Sequence, residues 1–316
     1  MNRIEVRSRE KERGVALVLV LGLVALVAVW AVESANEDWI SLRRAENMQL
    51  ASQSMLAAES GLELGRKILK EDDAGVDSLD EDWAQAMPSF PVDDGEVTTA
   101  IVDANRFFNL NDLVDANGVP QVKSVMIAKR LFARLELDAG LVDALVDWMD
   151  RDGTPYGPGG AEDIAYMDKH WRVKNAPLDS LSEVLLIKGF DHDVLNKLKH
   201  VAIVRPHTGI TPVNINTATK DVLMSLADGI TEQNVDGMIA QRKDTPWRTV
   251  AEWSSQTPYS VWAGRINPAR LSTVSDAFLI QSEARFGRVR WREEMLMGRS
   301  GKKLQVLTRR KIAATQ

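Results

Sequence analysis

Residues 15–32 read VALVLVLGLVALVAVWAV, apolar on every side and without a single charge. As a helix this run spans roughly 27 Å, close to the hydrocarbon thickness of about 30 Å. A core helix of a water-soluble protein would keep a polar face, and this one has none. Beyond it, Trp39, Leu42, Ala45, Met48, Leu56, Ala57 and Leu64 return at mixed helical steps. The spacing predicts one long helix, apolar first and amphipathic afterwards, to about Lys70. The pattern then breaks. Residues 71–95 are irregular, with Pro88 and Pro91 against any helix, and are expected to form a solvated linker. Residues 96–103 (EVTTAIVD) alternate as a strand, with 107–113 as its exit turn. Helical periodicity fills 119–205, most clearly in 126–137 and 139–149, and again 218–253. Strand patterns close the chain at 269–284, 289–297 and 304–312, with turns expected at 285–288 and 298–301. Strands at both ends of a helical middle predict an α+β fold. Its helical domain is inserted into, or carried upon, a small antiparallel sheet.

Charge changes the picture because it is segregated. The 316 residues sum to −6, yet 71–96 holds ten acids and no base, whereas 285–316 holds ten bases and two acids. The absence of cysteine removes disulfides, thiolate zinc sites and cysteine nucleophiles. An acidic chain is also a poor generic partner for nucleic acid. Around the apolar run, Arg3, Arg7, Arg9, Lys11 and Arg13 outweigh Glu5, Glu10 and Glu12 upstream, while Glu33, Glu37 and Asp38 follow it. That asymmetry predicts a cytoplasmic N-terminus and an exported body. A cleavable secretory signal would need a small-x-small site after the run, and none is clean. A signal anchor or a leader cut before the run, at Gly14, remain.

Candidate chemistry concentrates in residues 147–163. Asp147, Asp150, Asp152, Glu162 and Asp163 converge through a turn rich in Gly and Pro, as oxygen ligands of a hard cation such as Ca²⁺ would. Zinc would prefer His or Cys, and the loop has neither. It is not an EF-hand: Pro155 takes the place of the central glycine, and Ala161 that of the closing carboxylate. By spacing alone an acidic surface loop explains the same residues. Two segments, 185–198 and 223–239, share a helix, Gly-apolar-x turn, helix order. DNA-binding hairpins need a second glycine for close phosphate approach, and here Asp191 and Thr231 stand there. Protein packing is the expected role. His170, His192, His200 and His207 show no ligand spacing, and no catalytic motif is present, so no enzyme activity is expected.

In order, RGVAL at 13–17, FNLNDL at 108–113, DWMDRDG…GGAED at 147–163, PLDSLSEVLLIKGFD at 177–191 and TPVNINTA at 211–218 resemble the type II secretion minor pseudopilin K family. The resemblance covers nearly the whole chain. Pilin-like leaders usually place Glu at the fifth mature position; Leu19 stands there, an absence typical of this one minor member. The resemblance implies a pseudopilin fold, a long N-terminal helix on a small antiparallel sheet, carrying an α-helical domain with helix-hairpin-helix and SAM-like elements. It divides the chain into a cleaved leader (1–14), the long helix (15–70, with 15–32 in the membrane), linker and first strand (71–112), inserted helical domain (113–205), and second hairpin with C-terminal strands (206–316).

By the same resemblance, prepilin peptidase cuts between Gly14 and Val15, and the new N-terminus is methylated. The subunit crosses the inner membrane once and exposes its body to the periplasm. It joins minor pseudopilins I and J at the pseudopilus tip to start and cap assembly for export across the outer membrane. Contact with the outer-membrane secretin or with secreted cargo is left open. The family binds calcium, which points to Asp150, Asp152, Glu162 and Asp163, with Asp147 as a further ligand. Some relatives carry a disulfide that this chain lacks. Two rivals are a membrane-anchored helix-hairpin-helix protein binding incoming DNA and a minor pilin of a type IV pilus.

Overall fold

The structure, a computed structural model, describes residues 4–206 and 209–312, without the side chains of 4–13 and Lys169. Residues 1–3 of the expected leader and His207 lie outside them. Helix α1 (Ile4–Glu71) is continuous over 68 residues, about 100 Å at 1.5 Å per residue. Its apolar run is exposed throughout, and it is long and apolar enough to cross a membrane. From about Leu50 one face packs on the sheet. That face is Ser54, Ala57, Ala58, Gly61, Leu62, Gly65 and Leu69, not the larger residues the spacing suggested. Leu42, Met48 and Leu56 are more than half exposed. The reason is distance. A Cβ on Gly61 would fall 2.6 Å from Thr99 Oγ1, and one on Gly65 2.6 Å from Ile280 Cγ2. At these two positions helix and sheet approach so closely that only glycine fits without a shift, while Leu62 and Leu69 fill the core to either side.

The sheet is antiparallel, in the order β1 (Phe90–Val92), β2 (Gly95–Asp103), β7 (Ala277–Phe286), β8 (Val289–Ser300), β9 (Lys303–Ile312). Alternation is visible in β2 and β7, whose inward residues Val97, Ile101, Phe278, Ile280, Ala284 and Phe286 meet α1. Tight turns at Gly287 and Gly301, both at positive φ, join the last three strands. Gly298 belongs to β8 rather than to the turn expected there.

Most of segment 71–95 is exposed, as a solvated linker would be, but it is anchored at Asp77, Ser78 and Trp83, which are buried. Trp83 is buried against Phe278, ring centroids 5.1 Å apart, and Asp77 is fully buried. Arg299 of β8 holds it: the guanidinium bonds Asp77, reaches Asp72 at 2.8 Å, and lies 4.5 Å over the Phe278 ring. One acid in such a run cannot be told from its solvated neighbours until its buried counter-charge, far along the chain, is known.

Residues 104–276 leave and re-enter between β2 and β7, which remain paired from Gly95↔Phe286 to Asp103↔Phe278. Most apolar side chains inserted there share one core running from Phe108 to Leu271, while Ala104 and Ile203 pack on the sheet. The insertion contains α2 (Val122–Arg134), α3 (Gly140–Met149), α4 (His192–Leu198), α5 (Lys220–Ser225), α6 (Glu232–Asp244), α7 (Val250–Ser255) and α8 (Tyr259–Ala263). Two short parallel pairs brace it, β3 (Phe108–Asn109) with β4 (Ala202–Ile203), and β5 (Val213–Asn214) with β6 (Leu271–Ser272). The boundaries at 112/113 and 205/206 therefore fall inside one domain: both hairpins bury their apolar faces in the same core. The first arm of the first hairpin, Leu181–Leu186, is a 3₁₀ helix. Asp191 and Thr231 cap α4 and α6, accepting from the backbone N–H of Val194 and Asn234.

Two sequence motifs tie the insertion down. Asn111 donates to the carbonyls of Leu178 and Arg205, and Asp112 receives Thr211 and Arg270. Asn214 donates to Asp77 O, Asp103 Oδ2 and Ser275 Oγ, at 3.0, 3.1 and 2.8 Å.

Gly61→Ala and Gly65→Ala are expected to lose about 1–3 kcal/mol each, the usual range for overpacking. Gly237→Ala, in α6 with nothing near its Cβ, should lose nothing and gain up to about 1 kcal/mol. Urea denaturation of the three variants measures the contrast.

Candidate metal centre

Helix α3 carries Asp143 and Asp147 four apart on one face, and Asp150 follows as its C-cap residue, with extended backbone. All three are buried, at 2, 0 and 1% exposure. Asp143 pairs with Lys129 of α2 at 2.6 Å and so is neutralised. Asp147 accepts from the N–H of Tyr156 at 2.7 Å and of Ala161 at 2.5 Å, which folds the Gly-rich loop back over it. The glycines make this possible: a Cβ on Gly160 would sit 2.7 Å from Asp147 Oδ2. The returning loop delivers Glu162, 7% exposed, beside the helix.

Asp147, Asp150 and Glu162 each offer an oxygen, all within 4.8 Å of one another. Oxygens at 2.3–2.6 Å from one calcium ion lie up to about 5 Å apart, so the spacing suits a shared hard cation. Asp150 Oδ1 and Glu162 Oε1 are buried with no hydrogen-bond partner. Burial, then the charges of Asp152, Asp147 and Glu162, pushes the Asp150 carboxyl up to about 7. Burial and neighbouring acids likewise raise Asp147 and Glu162. The leading charge effects on all three come from other acids. Carboxylates stripped of water and left uncompensated are costly, and a divalent cation is the kind of group that would offset the charge.

Two of the five sequence candidates lie outside this cluster. Asp152 is exposed and its Oδ1 receives the Thr154 N–H at 2.8 Å, so it adds field rather than a ligand atom. Asp163 is exposed and bound to the Val173 N–H at 2.9 Å. It opens a 3₁₀ helix directly after the extended Glu162, and consecutive side chains there diverge. Asp143 escaped notice in the sequence, although its helical step to Asp147 was the available signal. Gly14 and Val15 sit exposed within continuous α1, with nothing within 4 Å of a Cβ at Gly14. His170, His192 and His200 are exposed, apart from the acidic cluster.

Comparison with known proteins places this geometry in a family. Family models described as type II secretion system (T2SS), protein K, match residues 106–207 and 213–269. The type II secretion system protein K of Pseudomonas aeruginosa is 34% identical over 233 residues, 69% of this chain and 69% of that relative. That of Klebsiella pneumoniae is 29% identical, covering 95% of this chain and 96% of the relative. The fold matches a chain in the crystal structure of the GspK-GspI-GspJ complex from the enterotoxigenic Escherichia coli type 2 secretion system. The TM-score is 0.73 at 22% identity, over 86% of this chain and all of that one. The antiparallel sheet on a long helix, its insertion and the matched segments together show that this chain belongs to the type II secretion system protein K family.

Proposed function

We propose that this minor pseudopilin is the tip subunit of the pseudopilus, anchored in the inner membrane with its body in the periplasm, and that it starts and caps assembly. The observation that carries the proposal is where the insertion sits. The β7–β8 turn lies beside the middle of α1, with Arg288 bonded to Asn47 at 2.6 Å. Residues 104–276 therefore emerge at the opposite end of the sheet, farthest from the apolar run. A broad domain there leaves no room for another subunit to stack above. Minor pseudopilins I and J, counterparts of GspI and GspJ in the matched complex, suit the exposed Leu42, Met48, Leu56 and Leu64 of α1. Leu19 offers no carboxylate to pair with a neighbouring subunit's amine, in keeping with a subunit at the end of the filament.

Before assembly, residues 15–32 hold the subunit in the bilayer. Prepilin peptidase cleaves after Gly14, leaving Val15 as the methylated N-terminus. Asp147, Asp150 and Glu162 hold Ca²⁺, with Asp152 and Asp163 lending charge around it. The ion clamps the Gly-rich loop to α3 in a domain that has no disulfide. Contact of the domain with secretin or cargo remains compatible with its position.

Three outcomes are expected. Replacing Gly14 with a bulkier residue blocks processing, read as retained leader mass in membrane fractions. The mature chain co-purifies with I and J, and I and J alone form no complete tip complex; full assembly without it contradicts the proposal.

The third concerns calcium and pH. At about a hundred times its Kd, calcium should add about 2.7 kcal/mol and raise Tm. Asp150→Asn with Glu162→Gln abolishes the rise. The folded Asp150 titrates near 7, against 3.8 for an ordinary aspartate. The metal-free fold thus binds the extra proton, and its stability falls as pH climbs between these values. Calcium relieves that loss at neutral pH, so its Tm increment should shrink as pH drops below about 7. An increment independent of pH, or retained in the double variant, contradicts the site.

A further inference from the structure

The two edges of the sheet are treated differently. One edge, β1, has three residues with Pro91 at its centre, which cannot donate to a further strand. The other, β9, has ten residues without proline, about 33 Å of strand at 3.3 Å per residue. It pairs with β8 along one side, and among the described residues no strand pairs with its other side. Its side chains are exposed or half-buried throughout, with Val306 49% exposed near the middle.

The charge along this edge is of one sign. Between Gly301 and Ile312 the chain has Lys302, Lys303, Arg309, Arg310 and Lys311 and no acid. Arg309 is matched by Glu59 and Glu293. The other four have no carboxylate partner among the described residues: Arg310 bonds the carbonyl of Asp179, and Lys311 lies 3.5 Å over the Trp291 ring. A second copy added antiparallel would set these bases against their own likeness, which is unfavourable. The charges that keep copies of this chain apart attract an acidic strand.

We propose that the free edge of β9 receives an extended acidic segment of a partner protein by strand addition. The backbone of β9 supplies main-chain hydrogen bonds. Val306 offers an apolar contact for a central residue, and Lys302, Lys303, Arg310 and Lys311 meet carboxylates on either side of it. The edge lies on the sheet rather than on α1 or the inserted domain, so this docking is separate from helix packing within the filament.

The test uses the full chain in detergent micelles and three capped peptides of about ten residues. One alternates Glu and Val, one alternates Lys and Val, and one is the Glu–Val peptide N-methylated at every second residue. Fluorescence anisotropy reads binding, and amide hydrogen exchange reads which strand is protected. Binding of the Glu–Val peptide with new protection confined to 303–312, and loss of binding on N-methylation, are expected. Lys302→Glu with Lys303→Glu and Lys311→Glu should weaken binding by about tenfold or more, since three attractions become repulsions. The Tm of this variant, unchanged, shows that the fold survives. Absence of Glu–Val binding, equal binding of the Lys–Val or N-methylated peptide, or protection elsewhere overturns the proposal.

Discussion

The architecture depends on a buried polar knot where the inserted domain leaves and rejoins the sheet. Arg299 binds Asp72 at the end of α1 and Asp77 beyond it, and donates to the carbonyl of Ser275 just before β7. Asn214 of the inserted domain donates to Asp77, Asp103 and Ser275, and Thr217 donates to Asp103 at 2.5 Å. Burial raises the Asp103 carboxyl, and the bonds from Thr217, Ser275, Asn105 and Asn214 draw it back. Replacing such a network by apolar groups would satisfy packing but not orientation. Removing Arg299 leaves the buried Asp77 without its counter-charge, at about 3–5 kcal/mol. Through this knot a rigid helix sets the direction of a domain inserted between two paired strands.

The close fit of α1 on the sheet serves the same end. Gly61 and Gly65 bring the helix axis near β2 and β7, so the small-residue face is spent on the subunit's own sheet. Leu42, Met48 and Leu56 of α1 are left on the outside. Their exposure is what the proposed packing against neighbouring helices would use.

Much of this was legible in the sequence, and the failures share a cause. The apolar run, the long helix, the strands at both ends and the acidic loop follow from local periodicity and spacing. Long-range partners do not. Arg299 is needed to see that Asp77 is buried within the acidic run, and the contacts of Gly61 to see which face of α1 packs. The single core from Phe108 to Leu271 is needed to see that two hairpins form one domain. In the acidic loop, spacing singled out five carboxylates, and backbone direction selected among them. Glu162 turns inward while Asp163 turns to Val173, a difference of one residue that composition cannot express.

The proposed tip position rests on an inserted domain that emerges at the end of the sheet farthest from the apolar run. Because the chain has no cysteine, one introduced on the inserted domain, Lys243→Cys on the exposed surface of α6, gives a unique label. Electron microscopy of gold-labelled, assembled pseudopili then locates the domain directly. The account predicts a single label at one end of each filament. Labels distributed along the shaft would contradict it.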